Sequence, residues 1–301
     1  MWNIFKYGPN LKLVRLQVRL SWPLIKYGKK WSAVPVLKWI IYPFFKRPHN
    51  ELTSIPIHVN VESPDSIALP MRLVERLVSE IDDIFLMDEC HCAGVKNRKS
   101  SRLNIGCMAF GPSIARIHPS HGRKINTEEA VNHVRKAAAQ GLVANIAHVW
   151  IDALAFQLTR FNRLLFMCLC DDDQCIYRTF MKRRGLSLDK TYKKLPGLSV
   201  QVDTSKCSNC QTCVETCFVS AVETKGKVAV IGDDCRGCGI CVNRCPEGAI
   251  SLTMENEEVM FQHLLDRIRE MSNLPLKIEK RGKGVKSRFV ASPEKKQQNE
   301  T

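Results

Sequence analysis

The chain has 301 residues, enough for two small domains, and its 45% hydrophobic and 25% charged content excludes a wholly disordered protein. The most apolar stretch, Trp31 to Phe45, is broken by Pro35, Lys38 and Pro43, so no conventional transmembrane helix is expected; with no leader-like start either, the reading is cytoplasmic. Net charge is +15 and sits at the ends: residues 1–50 hold ten Lys/Arg and no acid, residues 272–301 contribute +5, and residues 51–271 balance.

In the basic N-terminal segment, 1–50, a helical wheel over Leu11 to Leu20 puts Lys12, Arg15 and Arg19 on one stripe and Leu13, Leu16 and Leu20 opposite, with Leu11, Val14 and Val18 between. Beyond it, Trp22, Trp31, Trp39, Tyr42, Phe44 and Phe45 alternate with Lys26, Lys29, Lys30, Lys38, Lys46 and Arg47. Bases beside aromatic rings suit an anionic membrane surface, here the inner membrane face. An arm packed on the rest of the chain, or on a partner protein, is an equal reading. Nucleic acid is disfavoured, because no binding module accompanies the charge.

Residues 51–195 read as a separate cysteine-containing α/β or α+β domain. Ile55 to Val61 has the alternation of a strand. Leu69-Pro70 opens an amphipathic helix with Leu73, Leu77 and Ile81 on one face, and Ile84 to Met87 is a buried strand. A helix capped at Asn126 or Thr127, with Glu128 and Glu129 in its first turn, stops at Gly141. Leu142 to Trp150 and Leu164 to Leu169 read as strands, although Ile146 to Phe161 also suits a helix. Six cysteines lie here: Cys90, Cys92, Cys107, Cys168, Cys170 and Cys175. Fourteen thiols in a reducing compartment point to metal or redox chemistry before disulfides. These six allow a third iron–sulfur cluster, a zinc site, a reactive dithiol, or simple burial, since free cysteine is among the most buried residue types. His91, His118 and His121 are candidate nitrogen ligands. The acidic run Asp171-Asp172-Asp173 reads as a solvated loop.

The strongest signal follows. Residues 207–217 read CSNCQTCVETC and residues 235–245 read CRGCGICVNRC, the same C-x2-C-x2-C-x3-C pattern offset by 28 residues. Extended runs precede both copies, Leu198 to Val202 and Lys227 to Ile231. A [4Fe–4S] cubane needs four thiolates at tetrahedral corners. Two-residue gaps wrap three corners, while the fourth cysteine has turned into a helix and reaches the other cluster. Cys207, Cys210, Cys213 and Cys245 are assigned to one cluster, and Cys235, Cys238, Cys241 and Cys217 to the other. Zinc, which favours separated C-x2–4-C pairs, fits less well. Gly237 and Gly239 permit close backbone approach.

Residues 198–254 resemble the bacterial-type two-[4Fe–4S] ferredoxin domain, within a larger cysteine-rich iron–sulfur protein of the kind found in anaerobes. The resemblance implies an α+β fold, a ferredoxin-like two-cluster module with a pseudo-twofold repeat, and one-electron transfer at low potential. One departure is Phe218, where that family usually has proline after the fourth cysteine; the second copy keeps Pro246.

The domains expected are thus 1–50, 51–195, 196–254, and 255–301, the last a helix from Val259 to Met271 covering the ferredoxin-like part and then a basic tail. No phosphate-binding glycine loop and no acid–base or nucleophilic constellation is visible. Electron transfer to a redox partner, acidic if it meets the basic ends, is the functional expectation, with no catalytic residue assigned. A reductase whose 51–195 domain binds a substrate or cofactor is the alternative, and a redox sensor a third.

Overall fold

The structure, a computed structural model, describes residues 6–40, 50–59, 61–63, 66–68, 70–96, 104–170, 175–179, 181–183 and 191–278. Asp171, Asp172 and Asp173 lie outside the described residues, as do Tyr42, Phe44, Phe45, Lys46, Arg47 and the basic tail.

A long helix, α1 (Leu11–Trp31), starts where the Asn10 side chain accepts from the Leu13 amide and ends with Lys29 and Lys30 against its negative pole. Ahead of the cysteine repeat lies a seven-stranded sheet of β1 (Asn50–Ile55), β4 (Ile84–Met87), β5 (Met108–Phe110), β6 (Gly122–Ile125), β7 (Val143–Val149), β8 (Leu165–Cys170) and β9 (Tyr192–Lys194). Its order is β6-β4-β5-β8-β7-β1-β9, antiparallel except for the β1–β9 pair. The helices of this lobe are α2 (Pro70–Ser79), α3 (His91–Lys96), α4 (Thr127–Ala139) and α5 (Trp150–Ala155). The Asn126 side chain and Glu129 form a reciprocal capping box at the head of α4.

Both sheet faces are covered, so β7 and β8 are buried along their whole length. One face packs Met108, Phe110, Leu165, Met167 and Leu169 against α2 and α4. The other carries Ala109 and Phe166 toward α1 and the ferredoxin-like lobe. By the period-two rule Cys168 and Cys170 share the face of Phe166, and Cys107 that of Ala109.

The C-terminal lobe has β10 (Leu198–Val202), α6 (Thr212–Thr216), β11 (Val222–Lys225), β12 (Val228–Ile231), α7 (Ile240–Arg244) and β13 (Ile250–Met254). Strands β10 and β13 pair antiparallel, as do β11 and β12. A hairpin from earlier in the chain, β2 (Val61–Ser63) with β3 (Ser66–Ala68), joins this sheet, with Glu62 opposite Thr253 on β13.

One expectation is corrected and another extended. The strand expected over Ile55 to Val61 instead runs Asn50–Ile55. Pro56 ends it, and its polar residues Asn50, Glu51, Thr53 and Ser54 are buried because the strand has neighbours on both sides. The last helix, α8 (Glu257–Met271), reaches beyond the ferredoxin-like lobe: it shares one core with Leu198, Leu252 and Met254 of that lobe and also with α2. Its buried residues, including Phe261, Leu264, Leu265 and Ile268, join the core with Leu73 and Leu77 of α2. Polar contacts fix that choice: Arg76 lies over the Phe261 ring and pairs with Glu257 and Glu258, while Arg267 meets the buried Glu51 at 3.0 Å.

Candidate metal centres

All fourteen cysteines are free thiols, and they gather in three places. The first lies in the ferredoxin-like lobe, where one cavity is lined by Cys207, Cys210, Cys213 and Cys245, the quartet assigned to one cluster. Cys210 is exposed. Its thiol is lowered from the usual range by hydrogen bonding to the Thr212 side chain, then to the Thr212 backbone.

Cys217, Cys235, Cys238 and Cys241 form the second gathering. Burial raises Cys241, followed by the charges of Cys238, Cys235 and Cys217, and Cys235 is raised by burial and then by Cys238 and Cys217 after an opposing Gly237 amide. The thiols of each quartet therefore lie near one another.

The backbone repeats with the cysteines. Asn209 (φ 57°) and Gln211 (φ 61°) are left-handed, as are Gly237 (φ 63°) and Gly239 (φ 75°) exactly one repeat later in the chain. Ser220 (φ 55°) corresponds in the same way to Gly248 (φ 57°). Amide-to-sulfur contacts repeat too: Ala221 N–H donates to Cys217 Sγ at 3.2 Å, and Ala249 N–H to Cys245 Sγ at 3.3 Å. Further amides reach Cys207 from Ala229 and Cys235 from Gly237. Donors aimed at sulfur favour thiolate over thiol, the state a cluster ligand requires. The donor set thus fits an iron–sulfur group. Among the described residues no group of three or more His, Cys, Asp or Glu is set to close on a single metal ion.

The second loop faces the seven-stranded lobe. A Cβ on Gly239 would meet Pro56 Cβ and Val59 Cγ2 at 2.8 Å. Cys217, Cys235 and Cys238 pack against the same apolar cluster as Cys107. Phe218, the departure from the family pattern, is central here. Its buried ring lies under the Arg178 guanidinium at 3.8 Å and meets Tyr192 edge-on at 5.7 Å. The Arg178 Nη1 atom also reaches Ser54 Oγ (3.3 Å) and Asn145 Oδ1 (3.5 Å) on the central strands.

The third gathering unites the six earlier cysteines. Cys90 shares side-chain hydrogen bonds with Cys107, Cys170 and Cys92, and these hold its thiol well below the usual range. Cys168 falls to about 5 through Cys107 and then Cys170. Cys107 and Cys170 are raised by the same sulfur contacts, and Cys170 also touches Cys175. The sheet builds this site from β8, from the residue preceding β5, and from the residues opening α3.

The histidines do not join it. His121 Nε2–H donates to the Pro9 carbonyl (2.9 Å), and its Nδ1 pairs with His91 Nε2 at 2.8 Å. The other His91 nitrogen lies 3.2 Å from the Glu89 carbonyl, and His118 Nδ1 accepts from the Ser120 amide. They secure the start of α1 instead. Arg15 of that helix pairs with Glu89.

Sequence reasoning missed three residues. Lys29 appeared as one basic residue among ten, yet it is buried and its Nζ donates to the carbonyls of Ile176 (2.6 Å), Tyr177 (2.9 Å) and Thr179 (2.8 Å). Burial lowers its pKa to about 7, against the opposing charges of Cys175 and Cys92. Tyr177 O–H donates to Asp152, whose carboxyl burial pushes up to about 8. No motif marks these residues; only the helix wheel, which aligns Lys29 with Val14, Val18 and Ile25, held a trace.

Comparisons with known proteins match short segments of the chain. The 4Fe-4S binding domain family matches residues 228–251. An uncharacterized ferredoxin of Methanocaldococcus jannaschii is 36% identical over 62 residues, 19% of this chain and 100% of that protein. A ferredoxin of Methanothermococcus thermolithotrophicus is 38% identical over 58 residues, 18% of this chain and 97% of its own length. The pyruvate synthase subunit PorD of M. jannaschii is 34% identical over 58 residues, covering 19% of this chain and 67% of that subunit. No solved structure matches the chain.

Proposed function

Because the chain belongs to the ferredoxin family, carrying a ferredoxin domain within a larger iron–sulfur electron-transfer protein, we propose that it holds two [4Fe–4S] clusters, with the six earlier thiols available to a third centre. Cys207, Cys210, Cys213 and Cys245 hold the first cluster; Cys235, Cys238, Cys241 and Cys217 hold the second, in a pseudo-twofold module over 196–254. The observation that carries this reading is the shared 28-residue offset of the ligands, the left-handed positions and the amide-to-sulfur contacts. Bound clusters supply one-electron chemistry; the chain's own residues position the thiolates, leaving the second quartet half-buried and Cys210 of the first exposed.

Convergence of Cys90, Cys92, Cys107, Cys168, Cys170 and Cys175 supports the third centre, in the domain over 51–195. Electrons pass between solvent-side and lobe-side centres, and a partner enzyme meets the exposed first loop, as the resemblance to a pyruvate synthase subunit suggests. In solution the protein is cytoplasmic.

Helix α1 supports a second contact, with an anionic membrane. Its inner face is taken by Val14, Val18 and Lys29. Outside, Leu13, Leu16, Leu20, Leu24, Tyr27 and Trp31 form an exposed apolar stripe, with Leu20 at 71% and Leu24 at 65%. Lys12, Arg19, Lys26 and Lys30 flank it on the same exposed surface, and no helix among the described residues is long and apolar enough to cross a membrane. This is the pattern of a helix lying in an interface.

Anaerobic purification with iron, sulfide and EPR measurement tests the reading. About eight irons per chain support two cubanes and about twelve add a third cluster; stoichiometric zinc with no reduced-state EPR signal overturns it. Flotation with anionic vesicles at low and high salt tests α1, and binding unchanged by deletion of residues 1–50 overturns the membrane contact.

A further inference from the structure

Between α1 and the six-thiol site lies a half-open cavity of about 450 Å³. That volume falls within the range of small-molecule sites. Its walls are mostly apolar: Val18 and Ile25 from α1, Ile151 and Ala155 from α5, and Phe166 from β8. Cys92, Cys107 and Cys168 form its floor. Two wall residues carry buried oxygens without a hydrogen-bond partner among the described residues, Gln17 Oε1 and Asp152 Oδ2. The other Asp152 oxygen is already taken by Tyr177. A buried polar atom left unpaired is destabilising, so a ligand able to pair with it gains an advantage. Both are acceptors, and an incoming hydroxyl can donate to one of them.

We propose that this cavity binds an uncharged, largely apolar ring compound carrying a hydroxyl group, the chemistry of a phenol or quinol, seated against the thiols with its oxygen toward Gln17 and Asp152. A charged ligand is disfavoured by walls of this composition. The cavity opens beneath the helix whose outer face suits a membrane interface, where compounds of that class partition. The site deepens the electron-carrier reading and rests on it for its purpose, although not for its geometry.

The test is calorimetric titration of anaerobically reconstituted full-length protein with 1-naphthol, with iron and sulfide counted on the same sample. The wild type binds 1-naphthol and binds the sulfonated analogue 1-naphthol-4-sulfonate at least about tenfold more weakly, the factor expected for one lost or desolvated polar contact. Ala155→Trp, which fills the cavity, and Val18→Arg, which places a charge in it, each weaken 1-naphthol by about tenfold or more, and Gln17→Leu by several-fold. Absence of binding to wild type with a full cluster count overturns the site and leaves the carrier reading standing. Equal binding by wild type and all three variants also overturns the site. Binding that responds to the variants in protein lacking iron supports the site and overturns the carrier reading.

Discussion

The two cysteine loops share a pattern and a backbone but live in different surroundings. The first keeps Cys210 at the surface and tolerates Asn209 and Gln211 at left-handed positions. Its counterpart uses Gly237 and Gly239 at those positions, and Gly239 sits so close to Pro56 and Val59 that no side chain fits. After the fourth cysteine the asymmetry reverses: Phe218 is buried between Arg178 and Tyr192, while Pro246 is exposed. Each departure from symmetry follows from which half touches the seven-stranded lobe. One loop is shaped for docking inside the molecule and the other for meeting something outside it.

Ligand replacement should sharpen this contrast most. Cys210→Ser and Cys238→Ser are each expected to cost about four irons per chain. Only the second should also raise hydrogen exchange around residues 56–59, and equal exchange in both variants would break the comparison. Next comes Phe218→Ala, expected to destabilise by about 3–5 kcal/mol as a buried aromatic truncation, with Pro246→Ala changing stability by less than about 1 kcal/mol. Chemical unfolding under anaerobic conditions, followed by cluster absorbance, measures both. Gly239→Ala should destabilise by about 1–3 kcal/mol through positive-φ strain and overpacking, whereas Gln211→Gly is expected to be neutral or slightly stabilising. The smallest effect concerns Thr212, whose counterpart is Ile240. Thr212→Val removes the hydroxyl partner of Cys210 and should lower the reduction potential of a cluster held there, since hydrogen bonds to ligand sulfur favour the reduced state; EPR-monitored redox titration reads the shift.

The repeat was legible because cluster ligation demands fixed spacings, and helices α2 and α4 because their apolar stripes and caps are local signals. Other features were hidden for identifiable reasons. Strand β1 carries Asn50, Glu51, Thr53 and Ser54, so hydropathy alone gave no strand; neighbours on both sides bury it. The amphipathic pattern of α8 announced a helix but not its partner, which the pairing of Arg267 with Glu51 helps to select. Gathering of the six early thiols was half visible. Alternation in Phe166-Met167-Cys168-Leu169-Cys170 puts Cys168 and Cys170 on one face, but only strand order brings Cys90 and Cys107 beside them. The left-handed conformations of Asn209, Gln211 and Ser220 were hidden by residue type, although the glycines one repeat later at 237, 239 and 248 signalled them.

The hairpin β2–β3, laid beside β13, makes the ferredoxin-like lobe dependent on chain encoded some 130 residues upstream. A fragment cut from residue 196 onward would uncover the β13 margin, and bare strand margins recruit further copies. Such an excised piece is expected to self-associate more readily than the intact chain, because the sheet margin of this electron carrier is finished by residues outside its own repeat.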